Sequence, residues 1–119
     1  MQSYKDLEIY TIAHRLAVEI HKMSLKLAQF EMYEEGSQIR RSSKGIAANI
    51  VEGFGRRRYQ ADYVKFLVYA HASCDETKEH LELLFGTKSL SDEKQYCYFI
   101  EEYDKLSRKI NKFIQAFKA

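Results

Sequence analysis

The chain contains no proline, only five glycines and two cysteines, and no long apolar run. Without proline and with so little glycine, few positions can break a helix. The cysteines, Cys74 and Cys97, form no C-x-x-C pair, which removes the common zinc and redox spacings and suggests reduced, packed thiols of a cytoplasmic protein. No segment approaches the roughly 18 uninterrupted apolar residues of a membrane span. The first residues, Met-Gln-Ser-Tyr-Lys-Asp, are followed by no apolar stretch that would serve as a signal peptide.

What is present fits one helical domain over residues 1–119. At 45% apolar and 30% charged residues, the composition is too apolar for a disordered chain and too charged for a membrane one. The net charge of +2 is unevenly spread. From Gln38 to Lys65 seven basic residues face two acidic ones, leaving the middle at +5 and the remainder at −3.

The apolar spacing is helical throughout. Ile9, Ala13, Leu16, Ile20, Met23, Leu27 and Phe30 recur at 4-3 spacing, interrupted by Gly36 and Ser37, either of which can cap a new helix. Ile39, Ser43, Ile46, Ile50 and Phe54 define a second segment that stops at Gly53-Phe54-Gly55. Tyr63, Leu67, Ala70, Cys74, Thr77, Leu81 and Leu84 define a third, ending at Gly86. Ser89 or Ser91 can cap the last, marked by Phe99, Tyr103, Leu106, Ile110, Phe113 and Phe117. Four such stripes with short connectors, near 31–37, 55–59 and 86–91, predict an all-α, antiparallel, up-down-up-down four-helix bundle whose second helix is the shortest.

The second segment carries unusual chemistry. Beside its apolar stripe runs a small or polar one: Gln38, Ser42, Gly45, Asn49 and Glu52. A mid-helix glycine costs about 1 kcal/mol relative to alanine, so Gly45 implies close approach by a neighbouring helix. Asn49 and Glu52 are expected to hydrogen-bond across the bundle, with a subunit interface or ligand site as the alternative. Arg40, Arg41 and Lys44 lie in the first turns, where the helix dipole disfavours cations, and Glu31, Glu34 and Glu35 stand near to offset them. Arg56, Arg57 and Arg58 follow the C-terminus; the dipole accounts for one cation there, not three. With Phe54 and Tyr59 beside it, the triplet suits phosphate contact and base stacking, against the plainer reading of a solvated charged surface.

No catalytic motif accompanies this pattern. The residues three before His14, His21, His71 and His80 are Thr11, Val18, Val68 and Thr77, so the Glu-x-x-His pattern of di-iron bundles is missing. No phosphate loop, nucleophile elbow or zinc spacing occurs, and neither a cofactor nor a metal is expected. Glu76 and His80 read as a surface pair. His14 and His21 share a face, a weaker suggestion of a small-ligand or metal site.

The stretch Gln38-Ile39-Arg40-Arg41 through Ile46-x-x-Asn49-Ile50-Val51-Glu52-Gly53-Phe54-Gly55-Arg56, with Phe66-Leu67-x-x-Ala70-x-x-Ser73-x-x-Glu76 in the next segment, resembles the four-helix-bundle proteins encoded in intervening sequences of bacterial 23S ribosomal RNA genes. The sequence is also similar to the accessory variability proteins of diversity-generating retroelements. The first resemblance implies a bacterial bundle without enzymatic activity, often given a ribosomal-protein label. The second implies a basic homopentamer binding nucleic acid and a reverse transcriptase. Arg40, Arg41 and Arg56 fall on basic positions of the family, and Asn49 and Glu52 on its polar ones. Ala47 stands where proline is frequent, the first connector lacks the family's proline, and Arg58-Tyr59 replaces the usual Ser or Thr cap.

The combined expectation is a non-enzymatic homo-oligomer that binds RNA or DNA through Arg40, Arg41, Lys44 and Arg56 to Arg58. A scaffold for a protein partner, with no nucleic-acid contact, is the rival.

Overall fold

The computed structural model describes residues 3–117. These form a 3-10 turn, Tyr4–Asp6, and five helices: α1 (Glu8–Ser24), α2 (Gln29–Tyr33), α3 (Glu35–Gly55), α4 (Gln60–Gly86) and α5 (Glu93–Ala116). No strand occurs among the described residues. Four long helices make the bundle, and α2 is an elbow between the first two. A 27-residue helix is about 40 Å long, so α4 alone nearly spans the molecule's 44 Å length.

Each long helix neighbours the next in sequence, and α5 closes the circuit against α1. Cross-helix contacts fix their directions. Ser42 meets Thr77 and Glu35 meets His80, so α3 and α4 run antiparallel. Lys78–Asp104 and His71–Ser107 do the same for α4 and α5, as do Arg15–Glu102 and Lys109–Glu8 for α1 and α5. The topology is therefore the expected up-down-up-down.

The core contains the apolar stripes: Leu16, Ile20, Ile39, Ile46, Ile50, Leu67, Leu81, Leu84, Leu106 and Ile110 are wholly buried. Full burial of such a side chain contributes about 1.5–3 kcal/mol. Cys74 joins them, but Cys97 is exposed, contrary to the expectation of two packed thiols.

The first connector differs from its sequence-based placement. α1 ends at Ser24 and α2 occupies residues inside the predicted stripe. Leu27 still returns to the core from the turn, whereas Phe30 is 65% exposed. Arg40 fastens this elbow, donating from Nη1 to Ser24 Oγ and from Nη2 to the Met32 carbonyl. Buried Glu31 accepts from Ser89 Oγ and from the Glu35 amide. The carboxylate of Glu31 thus satisfies the start of α3, where Gly36 or Ser37 was expected to act as cap. At 21 residues α3 exceeds the 17 of α1, so the second long helix is not the shortest.

Two further ends are resolved by particular side chains. Asp92, rather than Ser89 or Ser91, caps α5 by accepting from the Gln95 amide. Ser89 is committed instead to Glu31. α4 begins after Tyr59 with no side-chain cap.

Candidate nucleic-acid interface

The turn between α3 and α4 is tight because Gly53, in the last turn of α3, lets α4 approach. A Cβ on Gly53 would lie 3.2 Å from Phe66 Cβ and Tyr63 Cδ1, and 3.3 Å from the Tyr63 carbonyl. Gly45, the glycine expected to admit a neighbouring helix, has only Ser73 Oγ at 3.8 Å. The close approach thus belongs to Gly53, at the corner where the arginines emerge.

Four exposed residues, Arg56, Arg57, Arg58 and Tyr59, make that corner. Arg56 pairs with Glu52 at 3.0 Å and with Asp62 at 3.6 Å. The hydrogen bond to Glu52, which outweighs partial desolvation, pushes its pKa above the ordinary guanidinium value. Arg56 also lies 4.9 Å from the centre of the Phe66 ring. Arg57 rests 4.0 Å over the Phe54 ring and donates from its guanidinium to the Phe54 carbonyl, which also accepts from the Arg57 amide at the end of α3. Arg58 has no charged partner among the described residues. Tyr59, beside it, is 64% exposed. Lys65 continues the surface along α4, 5.8 Å from Phe66 and 5.9 Å from Tyr69. Cations and aromatic faces alternate here, a pattern suited to phosphates and unstacked bases.

The predicted basic residues do not form one surface. Arg40 is half-buried and its guanidinium is committed to the elbow. Arg41 and Lys44 are exposed on α3, more than two helical turns from the corner. The polar stripe also divides. Ser42 reaches across the bundle to Thr77, with the oxygens 2.8 Å apart. Asn49 instead donates to the Gly45 carbonyl of its own helix, and exposed Glu52 serves Arg56. Gln38 is exposed. Asn49 and Glu52 therefore form no cross-bundle bond among the described residues, because the Gly45 carbonyl takes up the one and Arg56 the other. His80 makes the polar link there, with Nδ1 2.6 Å from Glu35 and Nε2 3.5 Å from Glu76.

A second basic surface escaped the sequence reading. Lys105, Arg108, Lys109 and Lys112 line one shallow concavity on α5. Their i, i+3, i+4, i+7 spacing marks one helix face, and in the net charge of the segment it is masked by Glu101, Glu102 and Asp104. Lys109 pairs with Glu8 and Lys105 with Glu102. This surface lies toward the same end as the arginine corner, since Gln60 Nε2 donates to the carbonyl of Phe117, the residue that follows α5.

No group of three His, Cys, Asp or Glu side chains among the described residues is placed to hold a metal ion. His14 Nδ1 lies 3.3 Å from the Tyr10 hydroxyl. No helix of the described residues is long and apolar enough to cross a membrane.

Comparison with known proteins agrees with the helical fold. The family model of the 23S rRNA-intervening sequence proteins matches residues 5–112. The fold is similar to the crystal structure of a protein of unknown function from the S23 ribosomal protein family of Bacteroides thetaiotaomicron VPI-5482. That likeness has a TM-score of 0.82 at 25% identity and covers 90% of this chain and 95% of the other. No curated protein matches the chain.

Proposed function

The chain belongs to the 23S rRNA-intervening sequence protein family, and we propose that it is a cytoplasmic, non-enzymatic, self-associating bundle that binds nucleic acid at the α3–α4 corner. The observation that carries the reading is the corner itself: Arg57 and Arg58 expose cationic groups, and Tyr59 offers a free ring beside them. Arg57 and Arg58 take phosphates, and Tyr59 takes an unstacked base. Arg56 is partly neutralised by Glu52 and Asp62 and orders the turn. Arg108 and Lys112 on α5 extend the track, while Arg41 and Lys44 form a separate basic spot. One copy supplies few phosphate contacts. Several copies on one strand raise the effective concentration of each weak site, and five is the number that the resemblance to retroelement accessory proteins implies.

The test is a mobility-shift titration of structured RNA and duplex DNA with wild type and with R56Q/R57Q/R58Q. The triple variant is expected to keep its helix content and assembly and to lose at least tenfold in affinity. Equal affinity would remove the corner as the site.

The rival reading, a protein scaffold, rests on the elbow, where Leu25 at the end of α1 and Phe30 and Tyr33 in α2 are each exposed. Clusters of exposed aromatic and aliphatic residues mark protein contacts more often than nucleic-acid ones. Unchanged binding by the triple variant would favour this reading.

A further inference from the structure

Away from the arginine corner, a shallow groove of about 440 Å³ runs between α1 and α3. Its apolar lining is Ala17, Val18 and Ala47, with Val18 42% exposed. Every other lining residue is a lysine or histidine: Lys22, Lys44, His14 and His21. No carboxylate lines it, although the chain has 17 acidic residues. Small side chains at Ala17 and Ala47 leave room for another helix, and the lysines favour an acidic one.

A surface of that description exists on this chain. On the outer side of α4, Val68, Ala72, Glu76, Glu79 and Leu83 recur at helical spacing, and all five are exposed. Val68 and Leu83 are 47% and 42% exposed. Glu79 has no ion-pair partner among the described residues, and Glu76 meets only His80, at 3.5 Å. The nearby cation Lys78 is engaged by Asp104 and Asp75. Small Ala72 suits the alanine floor of the groove, and Glu76 and Glu79 suit its lysines. From Ala72 to Glu79 is seven residues, about 10 Å of helix, the same rise as from His14 to His21.

We propose that the α1–α3 groove of one copy receives the outer stripe of α4 from a second copy. This inference rests on the self-association half of the reading above and adds the two surfaces that make the contact. They are different patches of one molecule, so the contact is heterologous. It repeats from copy to copy until a ring closes. Charge complementarity sets its register, and the apolar residues exclude water from it.

The experiment measures mass by light scattering, without nucleic acid, for wild type and three variants whose helix content is checked by circular dichroism. K22E/K44E makes the groove acidic, E76K/E79K makes the stripe basic, and the fourfold variant reverses both. Wild type is expected to scatter as several chains, each double variant as one chain, and the fourfold variant again as several. If both double variants stay assembled, this pairing is wrong while self-association stands. If the fourfold variant fails to reassemble, the two surfaces do not meet each other. A wild type that scatters as one chain overturns the interface and the self-association reading together.

Discussion

Gly53 and Gly45 sit on the same helix with opposite environments. An added methyl at Gly53 pushes against backbone and Cβ atoms of α4 that cannot swing aside. At Gly45 it meets only ordinary van der Waals contact with Ser73. Gly53→Ala is therefore expected to destabilise by about 1 kcal/mol or more, because overpacking outweighs the gain in helix propensity. Gly45→Ala is expected to stabilise by up to about 1 kcal/mol. Denaturant midpoints of the two variants check this, and shifts of the same sign would contradict it. The cysteines differ as sharply. Burial pushes the Cys74 thiol up to about 12, so its thiolate, the reactive form, is scarce. Iodoacetamide near neutral pH is expected to label exposed Cys97 in the folded protein and Cys74 only after unfolding, as peptide mass mapping would read.

The four stripes were legible because nearly every core side chain obeys the 4-3 spacing. The elbow was not, and the reason is specific. Leu27 returns to the core from a turn and Phe30 continues the period by coincidence, so periodicity ran through a break that Arg40 and Glu31 create by side-chain bonds. Such bonds join residues remote in sequence, Glu31 to Ser89 for example, and no local pattern announces them. The α1–α5 seam is likewise held by distant pairs. Arg15 donates to Glu102, Glu19 and Tyr98. The hydrogen bond from Arg15 holds the Glu102 carboxyl below its usual 4.5, outweighing partial desolvation. A carboxyl with a lowered folded pKa adds stability above its unfolded pKa and loses it as pH falls through the folded value. Arg15→Met is therefore expected to cost about 0.5–1 kcal/mol near neutral pH, discounted for exposure. That difference should shrink as acid protonates Glu102. Thermal melts across the acid range would show it, and a difference independent of pH would refute the assignment.

At the scale of the molecule, the triplet was legible as a cluster, but its division of labour was not. Arg40 looked equivalent to Arg41 by sequence, and the fold turns one inward and leaves the other in solvent. The basic face of α5 and the arginine corner are almost fifty residues apart in the chain, yet the antiparallel topology brings both to one end. That end gives the account its central claim, binding of a phosphate backbone by the α3–α4 corner. It is tested most directly by the salt dependence of nucleic-acid affinity for wild type and for R56Q/R57Q/R58Q. Each phosphate contact contributes about 0.9 to the slope of log affinity against log salt on duplex DNA. Arg56 is already engaged by Glu52 and Asp62, so Arg57 and Arg58 carry the difference. The triple variant is expected to bind more weakly with a slope shallower by about 2. Parallel slopes with equal affinity, or a wild type that binds neither RNA nor DNA at low salt, would contradict the account.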